Sequence, residues 1–484
     1  MRKFLLTLTA FAATLTASAE WTASFEPVND VKEMKGIQTV TAANGSVYVS
    51  SSYNQGFTFA GKDVTDPEGL TSACVVKYSA TGEELWAVSM EGAATIYALD
   101  ADTDGTLYIA GNFTDAVKYT GTDGVTAEMT SETVYSAFVA KISADGKVEA
   151  MEVITPAADT EIEGSFLYYP TASDIHVTPS KLQVEGDKIY VSAIFCGDVA
   201  ELSWEGAYLN VWDFMYMDNR SAGVFSLSKN DLSEAKSIAT VQNTESVSYN
   251  QYAPEAFSFV AENGIVYVSF IGLGNLTLTT AEGTKDFTFS TDGNGSNEHA
   301  FVLATISETT ATKTFNTAAH SSLAATYDLF MESDGDNLII GGTYFGELPF
   351  NTEITTENND IFVASVKKAD NTTNWTYTSE NESEAICMTT TDKVFVAATT
   401  GTYTVNLATG EATIAEQVLC AANGGTTIYT EETKVCISSN GTPASIENAI
   451  ATAQEDIRYN LAGQVVDKSY KGFVIANGKK LFVK

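Results

Sequence analysis

The stretch TLYIAGNFTDAV (Thr106 to Val117), followed by SAFVAKISADGKVEA (Ser136 to Ala150), returns later in the chain as NLIIGGTYFGELPF (Asn337 to Phe350) followed by DIFVASVKKADNTTNW (Asp360 to Trp375). Each copy runs from a short turn into an aromatic-centred strand, then a variable stretch, then a second strand around a Phe-Val pair. The first-strand centres fall at Tyr48, Tyr108, Tyr190, Tyr267, Ile339, Phe395 and Ile428, which predicts seven structural units. Within the second unit, alternation of apolar and polar residues predicts four short strands over 96–100, 107–110, 137–142 and 148–154. Asp104-Gly105 and Asp145-Gly146 supply the tight turns between them.

Four antiparallel strands form one small sheet. The spacing between copies is too irregular for a solenoid, whose coils must stack in register, and suits a propeller, whose connections vary freely in length. The last unit offers only three strands, at 419–422, 426–430 and 434–438. The missing fourth is supplied by Trp21 to Phe25 (WTASF), which resembles the fourth strands beginning at Trp86 and Trp375. The expected fold is therefore all-β: a seven-bladed β-propeller closed by the N-terminal strand, which hides the free sheet edges of an open array. A small C-terminal β-hairpin module follows it.

With 484 residues and 44% hydrophobic content, the chain has ample material for a core. Residues 1–19 combine Arg2 and Lys3, an apolar run from Phe4 to Leu15, and Ala17-Ser18-Ala19, the pattern of a secretory signal peptide. No later apolar run is long enough for a transmembrane segment. The propeller is assigned to 20–440, a polar linker to 441–456 and the C-terminal module to 457–484. Cys74, Cys196, Cys387, Cys420 and Cys436 are far apart and read as small core residues, with a Cys387–Cys420 bridge open if their strands become neighbours.

Sixty-two acidic residues against 26 basic ones give a net charge of −36. Such a field repels a phosphate backbone, which excludes nucleic acid as a partner, and predicts a soluble monomer. The C-terminal module has the opposite sign, with Arg458, Lys468, Lys471, Lys479, Lys480 and Lys484 against Asp467 alone.

TYFGELPFNTEITTENNDIFVASVKK, NFTDAVKYTG and SAFVAKISADGK resemble the bacterial β-propeller repeat family of exported proteins, over 36 to about 380 closely and 381–440 loosely. That resemblance implies a fold and a surface location with no fixed activity. The tail, with Ile446-Glu447-Asn448, Tyr459-Asn460-Leu461, Gly463-Gln464, Lys471-Gly472 and Asn477 to Lys480, is similar to the type IX secretion sorting domain of Bacteroidetes proteins, in a shortened form. This implies contact with that secretion machinery and a secreted or outer-membrane, cell-surface location. The location is the periplasm if the tail is not an export signal.

In a meander, the connections from second to third strands and from fourth strands to the next unit share one face. Here that face carries the long segments 112–135, 155–174, 197–221, 242–255, 272–298 and 345–359. Two are aromatic, and Tyr168, Tyr169, Trp204, Tyr208, Trp212, Phe214 and Tyr216 are the candidate ligand-binding residues, suited to stacking on a sugar or burial against a protein. Self-packing of the insertion is the competing reading. Asp100, Asp102, Asp104 and Gly105 match the opening of a calcium loop, but Tyr108 and Gly111 stand where its later ligands belong, so calcium is a weak expectation and no other cofactor is indicated.

His176, His299 and His320 are isolated, no HExxH or GxSxG motif occurs, and Ser290 to Asn294 begins but does not complete a sialidase-type turn. No catalytic residue is assigned. The expected function is non-catalytic binding of a glycan or protein at the cell surface. The alternatives are a polysaccharide-acting hydrolase or lyase and a structural envelope component.

Overall fold

The computed structural model describes residues 20–27, 36–54, 56–65, 72–157, 175–205, 221–243, 256–273, 275–281, 283–288, 299–307, 314–319, 329–348, 350–416, 419, 421–423, 425–431, 433–439 and the short strands of the C-terminal module. It is an all-β repeat of the β-propeller type. The sheets are antiparallel meanders, since Val, Ile, Phe and Tyr alternate with small or polar residues between tight Gly-containing turns.

Strand β1 (Trp21–Phe25) stands apart in sequence from its sheet. The first meander comprises β2 (Gln38–Thr41), β3 (Val47–Tyr53), the hairpin β4 (Phe57–Phe59) and β5 (Lys62–Val64), then β6 (Ser72–Tyr78) and β7 (Glu84–Glu91). The second is β8 (Ala94–Ala101), β9 (Leu107–Thr120), β10 (Thr126–Ile142) and β11 (Val148–Ile154). The third is β12 (His176–Glu185), β13 (Lys188–Cys196), β14 (Ser221–Ser228) and β15 (Lys236–Asn243). The fourth is β16 (Ala256–Glu262), β17 (Ile265–Leu273), the hairpin β18 (Asn275–Thr280) and β19 (Gly283–Thr288), then β20 (His299–Ser307) and β21 (Thr314–Ala319).

Next come β22 (Leu329–Ser333), β23 (Asn337–Leu348), β24 (Asn351–Lys367) and β25 (Thr373–Thr378), followed by β26 (Ala385–Thr390), β27 (Lys393–Ala398), β28 (Gly401–Asn406) and β29 (Ala412–Ala415). Finally β30 (Ala421–Asn423), β31 (Thr426–Glu431) and β32 (Lys434–Ser439) form a sheet with β1, whose Trp21 lies opposite Ser439 and Phe25 opposite Val435. The C-terminal module has β33 (Arg458–Asn460), β34 (Val465–Val466), β35 (Gly472–Ala476) and β36 (Lys479–Val483) in the order β34-β33-β35-β36.

The first strands touch one another in turn, β2 with β8, then β12, β16, β22, β26, β30 and again β2. The cores lie between adjacent sheets. One joins Val224, Ala239 and Val241 of the third meander to Phe259, Val268 and Val302 of the fourth, and another joins Trp21, Phe25 and Ile437 to Val49, Val76 and Tyr78.

A fourth-strand tryptophan repeatedly seals the outer end of such a contact. Trp86 packs on Gly146 of the next unit and its Nε1 donates to the Ala144 carbonyl at 3.0 Å. Trp375 packs on Gly410 and donates to the Leu407 carbonyl at 2.8 Å. Trp21 packs on Gly82 in the same manner. These turn glycines have φ of +82°, +73° and +82°, so the position demands glycine for its backbone as well as for the ring lying on it.

Among the described residues, the segments 112–135, 275–288 and 351–359, expected as long loops, are sheet. The stretch 112–135 continues β9 and β10, and β9 then pairs with β7 of the preceding unit through Ser89–Thr120 and Glu91–Lys118. Hairpin β18–β19 adds to β15 of the preceding unit. In the first unit, Phe57 and Phe59 of β4 pack on Phe25 at ring-centroid distances of 5.4 and 6.3 Å. The insertions therefore brace neighbouring sheets, because a strand edge left bare would have unpaired backbone groups.

Candidate functional site

The first strands converge on a cavity of about 280 Å³. Its wall draws on every unit, with Gln38, Tyr97, Lys181, Ser258, Glu332, Met388 and Asn423 among its residues. Gln38, Phe257, Leu329, Ile386 and Ala421 each stand first or second in their strand. Others lie farther along, with Lys181 and Leu182 past the middle of β12, Glu332 fourth in β22 and Asn423 last in β30, so the lining follows the length of the first strands. Alternation along each first strand sends one set of side chains toward the cavity and the other between sheets.

Lys181 of β12 spans the wall: its Nζ donates to the Met331 carbonyl at 2.5 Å and to Glu332 Oε1 at 3.1 Å, and lies 5.7 Å from the Phe259 ring centroid. Gln183 makes a paired contact with the fourth unit, its Nε2 donating to the Ala261 carbonyl at 2.7 Å and its Oε1 accepting from the Ala261 amide at 2.9 Å. Asp100 of β8 accepts from the Val184 amide through Oδ2 and from the Ala101 amide through Oδ1, both at 2.8 Å. Burial pushes its carboxyl up to about 6, outweighing those two bonds, with the negative Glu332 adding to the rise and Lys181 opposing it. A buried charge in such a place requires partners, and each of these groups has them.

The remaining polar side chains on the wall are different in kind, with Gln38 and Asn423 partly exposed and Ser258 3% exposed. The side chains of Gln38, Ser258 and Asn423 make no hydrogen bond among the described residues, while Tyr97, Phe330 and Ile386 supply partly exposed apolar surface. A hydrolase acting here would need two accessible carboxyl groups. Both oxygens of Asp100 are committed to backbone amides, so Asp100 and Glu332 do not form an open pair.

Trp204 is a correction to the expected ligand platform. It is 3% exposed, stacked on Phe195 at 4.6 Å, edge-on to Phe225 at 5.7 Å, and its Nε1 donates to Ser237 Oγ at 2.8 Å. Gly223 leaves the room its ring occupies. The residue caps the core of the third sheet, and both its faces and its N–H are spent on packing. Tyr168, Tyr169, Tyr208, Trp212, Phe214 and Tyr216 lie outside the described residues.

The expected calcium loop is also corrected. Asp100 faces the third unit, Asp102 pairs with Lys229 Nζ at 2.9 Å, which helps hold its carboxyl below the usual range, and Asp104 caps the turn by accepting from the Thr106 amide at 2.8 Å. The three carboxylates serve an interface, an ion pair and a hairpin. Among the described residues no group of three or more His, Cys, Asp or Glu side chains is arranged to hold a metal. No helix of the described residues is long and apolar enough to cross a membrane. Cys74 and Cys436 are buried thiols, and Cys420 lies outside the described residues.

Gln38, Lys181, Gln183 and Glu332 escaped the sequence reading. Their signal is a polar side chain at an apolar-looking strand's inward position, which becomes visible only once the innermost strand of each sheet is known.

No protein family and no curated protein matches the sequence. Among solved structures, the chain is similar to a Dos1 propeller (11% identity, 87% of this chain and 96% of that one, TM-score 0.41). It is also similar to a member of the DUF4221 family from Bacteroides vulgatus (9% identity, 87% and 96%, TM-score 0.34) and to the NanB sialidase from Streptococcus pneumoniae (9% identity, 76% and 65%, TM-score 0.37). These likenesses carry no functional argument.

Proposed function

We propose that the chain is an exported recognition protein, a seven-bladed β-propeller closed by its N-terminal strand, that binds a glycan or protein ligand non-catalytically at the axial cavity. The pairing of β1 with β32 and the unbroken succession of first-strand contacts support the closed seven-unit reading. The observation that carries the binding role is the cavity itself: seven first strands each contribute to one pocket, and its open polar groups are uncharged while its charged groups are internally paired. Concave sites with few, well-placed polar groups are where small ligands bind. Export is supported by the signal-like residues 1–19, and a surface address by the resemblance of 457–484 to sorting tails.

The experiment is hydroxyl-radical footprinting of the mature protein with and without a soluble cell-envelope extract. Protection of Tyr97, Phe330 and Met388 is expected. Protection confined to the outer strands, or none, would overturn axial binding. The polysaccharide hydrolase or lyase reading is tested in parallel by reducing-end release from the same extract, with Glu332→Gln as the control.

A further inference from the structure

We infer that the axial cavity selects a neutral saccharide ring. The inference rests on the axial-binding reading above and concerns only the chemistry of the ligand.

The first ground is charge. Lys181 is the cation on the cavity wall, and its ammonium is already held by the Met331 carbonyl and Glu332. An anionic ligand drawn to Lys181 would meet the Glu332 carboxylate 3.1 Å from that ammonium. A cationic ligand drawn to Glu332 would meet the Lys181 ammonium in turn. Either charge faces a like charge on the wall, whereas a neutral ligand faces none.

The second ground is the open polar set. Gln38 and Asn423 carry amides, each able to donate and accept, and Ser258 carries a hydroxyl that does both. They stand on three different first strands, β2, β30 and β16, and so address a ligand from several directions. Such groups match a ring bearing hydroxyls on its periphery. An apolar ligand would leave all three unpaired on the cavity wall, at a cost that disfavours it.

The third ground is the apolar surface between them. Tyr97 and Phe330 are partly exposed and Ile386 is 38% exposed at the cavity, giving flat or smooth faces for the C–H side of a sugar. The volume of about 280 Å³ sits at the low end for ligand pockets, which fits one ring or the end of a chain in preference to an extended oligosaccharide.

The test uses saturation-transfer NMR on the full mature chain. The probes are methyl β-D-glucopyranoside, methyl β-D-galactopyranoside and N-acetylglucosamine, against glucuronate and glucosamine as charged counterparts. At least one neutral probe is expected to bind about tenfold more tightly than its charged counterpart. Gln38→Ala and Asn423→Ala should each weaken it by about tenfold with an unchanged melting temperature. Ile386→Trp, which fills the cavity, should abolish it.

Equal or tighter binding of glucuronate or glucosamine, or binding indifferent to Gln38→Ala and Asn423→Ala, would overturn the inference. Footprint protection at Tyr97 and Phe330 by the envelope extract, with no saccharide bound, would overturn it while leaving axial recognition standing. Absence of both would overturn the two together.

Discussion

Trp21 bears on Gly82 as Trp86 bears on Gly146: in each case indole carbons lie 2.8–2.9 Å from where a Cβ on that glycine would stand. The first strand of the chain therefore meets the first meander with the contact by which the fourth strand of that meander meets the second. One difference separates them. The Nε1 of Trp86 reaches the Ala144 carbonyl, whereas the Nε1 of Trp21 is buried without a hydrogen-bond partner among the described residues.

That difference predicts an ordering of three identical substitutions. Trp86→Phe and Trp375→Phe lose a hydrogen bond as well as ring area, while Trp21→Phe loses area and sheds a buried unpaired donor. Trp21→Phe should be less destabilising by about 1 kcal/mol. Midpoints of urea unfolding measure it, and equal shifts for all three would contradict the role given to the indole N–H.

The turn glycines separate backbone strain from crowding. Gly146→Ala must hold φ near +82° and would put its Cβ 2.5 Å from Thr122 Cγ2 and 2.9 Å from Trp86. Gly186→Ala meets nothing within 4 Å and has only its φ of +62° to bear. The expected costs are about 2–4 kcal/mol and about 1–2 kcal/mol respectively. Thermal melts of the two variants read the gap.

Asp100 gives stability a pH dependence of definite sign. Its folded-state value is raised from 3.8 to about 6, so the folded protein binds the proton more tightly than the unfolded chain. Stability should fall as pH rises from about 4 to about 6, by as much as about 3 kcal/mol from this group, and level off above that window. Asp100→Asn should flatten the slope over that range whatever it does to absolute stability. An unaltered slope in urea unfolding from pH 4 to 7 would sink the assignment.

Gln183→Leu should strip Ala261 of two partners at once. The amide and carbonyl of Ala261 that face Gln183 would be left without a partner at the junction of the third and fourth units. A loss of about 2–3 kcal/mol is expected, with faster hydrogen exchange at the Ala261 amide, and an unchanged exchange rate would show that water replaces the side chain.

The strands were legible because local rules agree there. Asp145-Gly146 marks a turn, Ala137 to Ile142 alternates, and Trp21 to Phe25 copies the fourth strands so closely that its strand limits could be read directly. The insertions were not, since 112–135 has the polarity of a loop yet continues β9 and β10, which pair with each other, and 118–120 also pair with β7, a partner that no local pattern reveals. Trp204 misled for a related reason. An aromatic within a long insertion looks available, but Gly223, 19 positions on, opens a slot for it. Lys181 and Glu332 meet across three units, so their pairing is a property of the arrangement and not of either strand.

The pairing of β1 with β32 also fixes an order of events in time. Residues 21–25 are made early and find their partner only when residues 434–439 have been made, so more than 400 residues intervene before β1 has a sheet to join. Contacts so distant in sequence form slowly. Until then Gly82 lacks the indole that covers it, so the core shared by the first and last sheets is completed only by the final strands.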